Sequence, residues 1–259
     1  MSNGIIRSSG ELIKQEVLNP LVRFTANKRE GKLLLRCIRL NLKDPESTIT
    51  IHRLRDQVFF HRPTVQQEGQ KKGKSVGFSG AVGNEGATAL SILLGLSLGE
   101  LKRNRVIFID GRFDRKNFGI YTEMFGLTKT ASGHGNGSGF FQFYTTKNRN
   151  LCFLTPSAQI DPMEFFSNEE LGSLIGELRE SFDYVVFDMP PLLKSSETRM
   201  LIPHLDLFFL ICTSRKTLTS DVERCKRTVA EAGSSISGVI LNKQRVPFWS
   251  WFFGKEAFF

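Results

Sequence analysis

Between residues 75 and 242, short apolar runs alternate with longer stretches whose apolar positions recur at helical spacing. The runs at 75–79, 105–110, 151–154, 183–188, 207–212 and 237–242 are short and nearly continuous. They predict strands buried on both faces. The stretches 87–102, 114–125, 167–181, 197–204 and 217–232 predict helices. Strand and helix in turn predict a doubly wound, mostly parallel α/β sheet with helices on both sides. Thr128 to Gly139, rich in Gly, Ser and Thr, predicts a mobile loop. No internal repeat interrupts the pattern.

The pattern changes at both ends. Residues 1–48 support one or two marginal helices, Ile51 to Phe60 an amphipathic helix, and Gln66 to Lys74 a polar linker. The predicted organisation is a basic N-terminal arm over 1–74, an α/β domain over 75–246 and an aromatic tail over 247–259. In the tail, Trp249, Trp251, Phe252 and Phe253 suit a membrane interface or a partner's groove, and equally suit packing back on the domain.

Charge sharpens that division. Residues 1–74 hold 15 Lys/Arg against 7 Asp/Glu, whereas 75–259 hold 20 against 19. A basic arm on a near-neutral domain points to an anionic partner: an inner-leaflet lipid surface, nucleic acid or an acidic protein. A solvated arm with no such partner is the plain alternative. The 259 residues suffice for a full α/β core, and no apolar run reaches the length of a membrane span. The start does not read as a secretion signal. Cys37, Cys152, Cys212 and Cys225 show neither metal nor disulfide spacing, so a reducing cytosol is the expected compartment.

The candidate chemistry lies between the first strand and the first helix. There the chain reads Ala81-Val82-Gly83-Asn84-Glu85-Gly86-Ala87-Thr88. A phosphate-binding loop reads G-x-x-x-x-G-K-Ser/Thr: backbone N–H groups cradle phosphates, the lysine reaches the β/γ-phosphates and the hydroxyl holds Mg²⁺. Gly86 and Thr88 fit. Ala81 stands for the first glycine and Ala87 for the lysine. Strand, glycine turn and helix are the context the motif requires, although a plain glycine turn shares it.

Two apolar strands end in carboxylates, Val106-Ile107-Phe108-Ile109-Asp110 and Val185-Val186-Phe187-Asp188. Ligands of such sheets sit at the carboxyl ends of strands, so Asp110 and Asp188 are candidates to hold a metal and to orient an attacking group. Each alone could equally cap the helix that follows. Asn242, ending the last strand, could bond a base or form a turn.

Together these pieces resemble the cytoplasmic domain of the bacterial tyrosine autokinases of capsular and exopolysaccharide synthesis. Those are P-loop proteins related to the septum-positioning and partitioning ATPases. The resemblance runs from about His52 to Asn242. Its most specific part is Pro162-Met163-Glu164-Phe165-Phe166-Ser167, then Leu174-Ile175, Leu178-Arg179 and Phe182-Asp183-Tyr184-Val185-Val186-Phe187-Asp188-Met189-Pro190-Pro191. Leu205-Asp206-Leu207, Arg215, Thr217 and Gly238 to Lys243 continue it, and Arg53-Leu54-Arg55 with Val58 and Phe60 is similar to the family's oligomer helix.

The resemblance implies a P-loop NTPase-like fold with ATP and Mg as cofactors. Gly83, Asn84, Glu85, Gly86, Ala87, Thr88 and Ala89 would wrap the phosphates and Asn242 would face the base. Thr88, Asp110 and Asp188 would serve the metal, with Asp110 and Asp188 the catalytic carboxylates. It also implies a place at the inner membrane, on the cytoplasmic tails of a polysaccharide chain-length (co-polymerase) protein, with homo-oligomers.

The departures are specific. Alanine replaces the loop lysine. The family's D-x-D-x-R reads Asp110-Gly111-Arg112-Phe113-Asp114. Ile49 and His52 stand where the oligomer helix has a glutamate and its first arginine. No tyrosine follows Tyr184, so the usual C-terminal acceptor cluster is missing. Removing a positioned cation costs several tenfold steps, each about 1.4 kcal/mol, of phosphoryl-transfer rate. Arg112 or Arg115 could substitute. The expected function is a regulator or scaffold with weak or no ATP binding and turnover. The alternatives are an active tyrosine kinase or ATPase of the same pathway, and a partitioning-type relative that binds nucleic acid through its arm.

Overall fold

The computed structural model describes residues 17–18, 38–39, 43, 45–60, 73–112, 117–129, 141–156 and 170–243. The aromatic tail, the linker through residue 72, the segment Pro162 to Ser167, Asp114, Arg115 and most of the arm before Pro45 lie outside them.

Among the described residues nine strands form one sheet: β1 (Val17–Leu18), β2 (Lys74–Gly80), β3 (Val106–Asp110), β4 (Thr128–Lys129), β5 (Phe141–Thr145), β6 (Leu151–Pro156), β7 (Tyr184–Asp188), β8 (Leu207–Thr213) and β9 (Gly238–Asn242). Their order is β1-β9-β8-β2-β7-β3-β6-β5-β4. Neighbours are parallel except at the β6–β5 and β5–β4 pairs. The α-helices are α1 (Pro45–Phe60), α2 (Ala87–Gly99), α3 (Phe118–Tyr121), α4 (Glu170–Ser181), α5 (Ser196–Leu201) and α6 (Thr219–Glu231). This is the expected doubly wound, P-loop NTPase-like α/β fold.

The two-residue period of the strands divides the core. Val106 and Phe108 of β3, Tyr184 and Val186 of β7, and Val76 and Phe78 of β2 face α1, α2 and α3. Ile107, Ile109, Val185 and Phe187 face α4, α5 and α6. Strands covered on both faces need apolar residues at every position, which is why their sequences read as unbroken runs. Helix α2 is itself buried on nearly every side.

Helix α1 lies within the stretch assigned to the basic arm, yet Ile51, Leu54 and Val58, spaced three and four apart, enter the first core. Lys74 Nζ donates to the Val58 carbonyl at 3.1 Å and the Phe59 carbonyl at 2.6 Å, so a charge at the start of β2 caps the end of α1. The helix begins at Pro45, earlier than its apolar pattern, because proline's fixed φ suits a first turn.

Of the expected helix 114–125, the described part from residue 117 holds a single α-turn, α3, continued by a wider turn over Thr122–Gly126. Gly126, at φ 64°, ends it. The expected helix 197–204 is α5 followed by a tighter turn at Ile202–His204, where Pro203 has no N–H to continue the ladder. Of the expected loop 128–139, Thr128–Lys129 form the edge strand β4, which pairs with β5, a strand the sequence pattern did not yield. The other residues of that stretch from 130 onward are outside the described set.

Candidate functional site

The carboxyl ends of β2, β3, β7 and β9 gather the candidate residues. Ala81 to Gly86 leave β2 and enter α2 through Gly83, Asn84 and Gly86 at φ 113°, 64° and 101°. Asparagine tolerates the left-handed region because its short side chain bonds locally, and glycine has no Cβ to clash. Gly86 is the N-cap of α2, and no side chain caps the helix. The first N–H groups of α2 therefore have no intrahelical partner, and the positive end of the helix dipole faces outward.

Glu85 shapes this loop from within. It is 2% exposed, and its carboxylate accepts from the backbone N–H of Val82 at 2.9 Å and of Gly83 at 2.7 Å. Gly80 makes the room, since a Cβ there would lie 2.1 Å from Glu85 Oε2. Two N–H donors offset the cost of burying the charge.

Asn242 is fully buried. Its Nδ2 donates to the Glu85 carbonyl at 2.7 Å, while its Oδ1 accepts from the Lys243 N–H at 2.8 Å. Lys243 Nζ donates to the Asn84 carbonyl at 2.7 Å. The end of β9 thus clamps the loop after β2 from behind. Asn242, expected at the base, is here bonded to the loop. On the other flank, the Leu193 N–H donates to the Ala81 carbonyl at 3.1 Å, and Ser79 Oγ to the Pro190 carbonyl at 2.6 Å.

Asp110 and Asp188 are register partners on adjacent strands and are both fully buried. Tyr121, fully buried in α3, donates its hydroxyl to Asp188 Oδ2 at 2.7 Å and lies 3.5 Å from Asp110 Oδ1. Burial, then the charges of Asp188 and Asp110, push that hydroxyl well above the ordinary tyrosine range, with Arg112 opposing. It stays a protonated donor. The Arg112 N–H donates to Asp110 Oδ1 at 3.2 Å.

The candidates fall into two groups. Gly83 to Ala89 and Asn242 form the loop and its clamp. Asp110, Asp188 and Arg112 form the acidic strand ends. Ala87 starts α2 and Thr88 follows it, and both are 8% exposed. Tyr121 and the bracing role of Glu85 were missed. Tyr121 lies 67 residues from Asp188, so no local spacing signals the contact.

The loop, with its uncapped helix and left-handed turns, fits a phosphate. The aspartate pair does not fit a hydrated divalent cation: Mg²⁺ keeps several waters, and both carboxylates are sealed from solvent behind a tyrosine hydroxyl. Among the described residues no helix is long and apolar enough to cross a membrane.

No family model matches the chain. It is 25% identical over 190 residues to the tyrosine-protein kinase CpsD of Streptococcus agalactiae, spanning 70% of this chain and 80% of that one. The kinase domain of the Escherichia coli tyrosine kinase ETK superposes with a TM-score of 0.64 at 17% identity, over 95% of this chain and 93% of that one. The MinD cell division protein of Aquifex aeolicus superposes with a TM-score of 0.51 at 17% identity, over 70% and 73%. The chain is thus similar in sequence to bacterial tyrosine-protein kinases and shares its fold with a tyrosine-kinase domain and with MinD.

Proposed function

We propose that this protein is a regulator or scaffold of exopolysaccharide or capsule synthesis and export, with weak or no ATP turnover. The observation that carries this reading is Ala87, standing where the motif has lysine, in a loop whose backbone is otherwise built for phosphate. Such a loop offers N–H dipoles without the cation that neutralises a transferring phosphoryl group. The exchanged acidic motif, with Arg112 in place of the second carboxylate, points the same way. The pathway rests on the tyrosine-kinase relatives. By that kinship the protein would sit at the cytoplasmic face of the inner membrane, against the tails of a chain-length co-polymerase, singly or as a homo-oligomer.

Calorimetric titration with ATP and Mg²⁺ is expected to give weak binding or none, and a phosphate-release assay no turnover. Ala87→Lys is expected to strengthen nucleotide binding by about tenfold or more, the equivalent of ~1.4 kcal/mol. Low-micromolar affinity in the unaltered protein, together with hydrolysis, overturns the reading in favour of a working kinase. Arg112, whose charge acts on the hydroxyl between the aspartates, would then be the first cation to test.

A further inference from the structure

We propose that Tyr121 closes the cation seat between Asp110 and Asp188, so that this end of the sheet is ordered by an internal hydroxyl in place of a metal ion. The inference rests on the reading of a site without turnover and adds the device that keeps the cation out.

The strand register brings the two aspartates side by side. Adjacent carboxylates repel, and burial strengthens the repulsion. A divalent cation is one remedy. A hydroxyl aimed between the two is another, and here it is in place: Tyr121 reaches Asp188 Oδ2 at 2.7 Å and Asp110 Oδ1 at 3.5 Å. Its ring is held among Phe108, Phe125 and Phe153, at centroid distances of 5.5, 6.3 and 5.0 Å. Tyr121, Asp110 and Asp188 are each 0% exposed. A cation that keeps its waters needs both an entry path and space for its hydration. Tyr121 takes the space, and the aromatic cluster keeps it from swinging away.

The test titrates the full-length protein with Mn²⁺ alone and counts bound metal by electron paramagnetic resonance. Tyr121→Phe, which removes only the hydroxyl, is expected to raise Mn²⁺ affinity about tenfold, or ~1.4 kcal/mol. The gain is expected to vanish when Asp188→Asn is added. Unchanged or weakened affinity in Tyr121→Phe overturns the proposal, as does a gain that survives Asp188→Asn.

A second measurement needs no substitution at the site. In protein carrying 3-fluorotyrosine, with Tyr144→Phe and Tyr184→Phe used for assignment, the Tyr121 ¹⁹F resonance is expected to stay unmoved on adding Mg²⁺. A shift overturns the proposal. A cation seated beside Tyr121 would sink this inference and leave the argument from Ala87 intact. ATP hydrolysis would sink that argument.

Discussion

The loop after β2 and the aspartate pair ending β3 and β7 lie at the same end of one sheet, and each has a different half of what the proposed phosphate site would need. The loop has the backbone and lacks the lysine. Its left-handed turns and uncapped helix start are set by Gly83, Asn84 and Gly86, by the buried brace of Glu85 and by the Asn242 clamp. The aspartates have the side chains and lack the open space. A binding geometry made of backbone persists as long as the turn is braced, whatever stands at position 87. A geometry made of carboxylates depends on what surrounds them, and one tyrosine is enough to change its chemistry.

The comparison breaks most severely on the aspartate side. Phe108 is fully buried and packs on Tyr121, Phe125 and Phe153. Phe108→Ala is expected to cost about 3–5 kcal/mol in chemical denaturation, since the cavity cannot collapse between a sheet and a buried helix. The same variant should leave Tyr121 free to rotate from Asp188, and should raise Mn²⁺ uptake in whatever fraction stays folded.

The loop side breaks next. In Gly80→Ala the new Cβ would meet Glu85 Oε2 at 2.1 Å, and the carboxylate must leave the N–H groups of Val82 and Gly83. A buried charge parted from its donors is expected to cost about 2–3 kcal/mol in urea unfolding. Phosphate affinity should fall with it, while Tyr121 stays on Asp188. Asn242→Ala is milder, at about 1–2 kcal/mol, because it removes one donor to the Glu85 carbonyl and leaves the carboxylate bonded.

Much of this was legible in the chain. Strands buried on both faces announce themselves as unbroken apolar runs, so β2, β3, β6, β7, β8 and β9 appear within a residue or two of expectation. The loop and the strand-end carboxylates are read from residues close in sequence. Tyr121 was not legible, because its meaning comes from a partner 67 residues away, and its helix is cut short by the turn before Gly126. Glu85 read as one more loop residue. Only the empty space at Gly80 shows that its carboxylate turns inward. Strand β5 lies next to the edge strand β4 and is only half-buried, so its pattern is weaker than that of the central strands.

The smallest expected effect sharpens the comparison further. Lys243 reaches the Asn84 carbonyl from the outer side of the loop, across 159 residues of sequence, and that contact is exposed. Lys243 also sits at φ 58°, a conformation that costs a side-chain-bearing residue roughly 1 kcal/mol. Lys243→Ala removes the contact and keeps the backbone cost, so about 0.5–1 kcal/mol of stability should be lost. Lys243→Gly removes both, and the two changes should nearly cancel. If Glu85 holds the turn and Lys243 steadies only its outer side, amide exchange near Asn84 should quicken in both variants while exchange at Val82 and Gly83, held by Glu85, stays slow. Faster exchange at all three amides would show that the outer lysine, and not the buried glutamate, holds the turn.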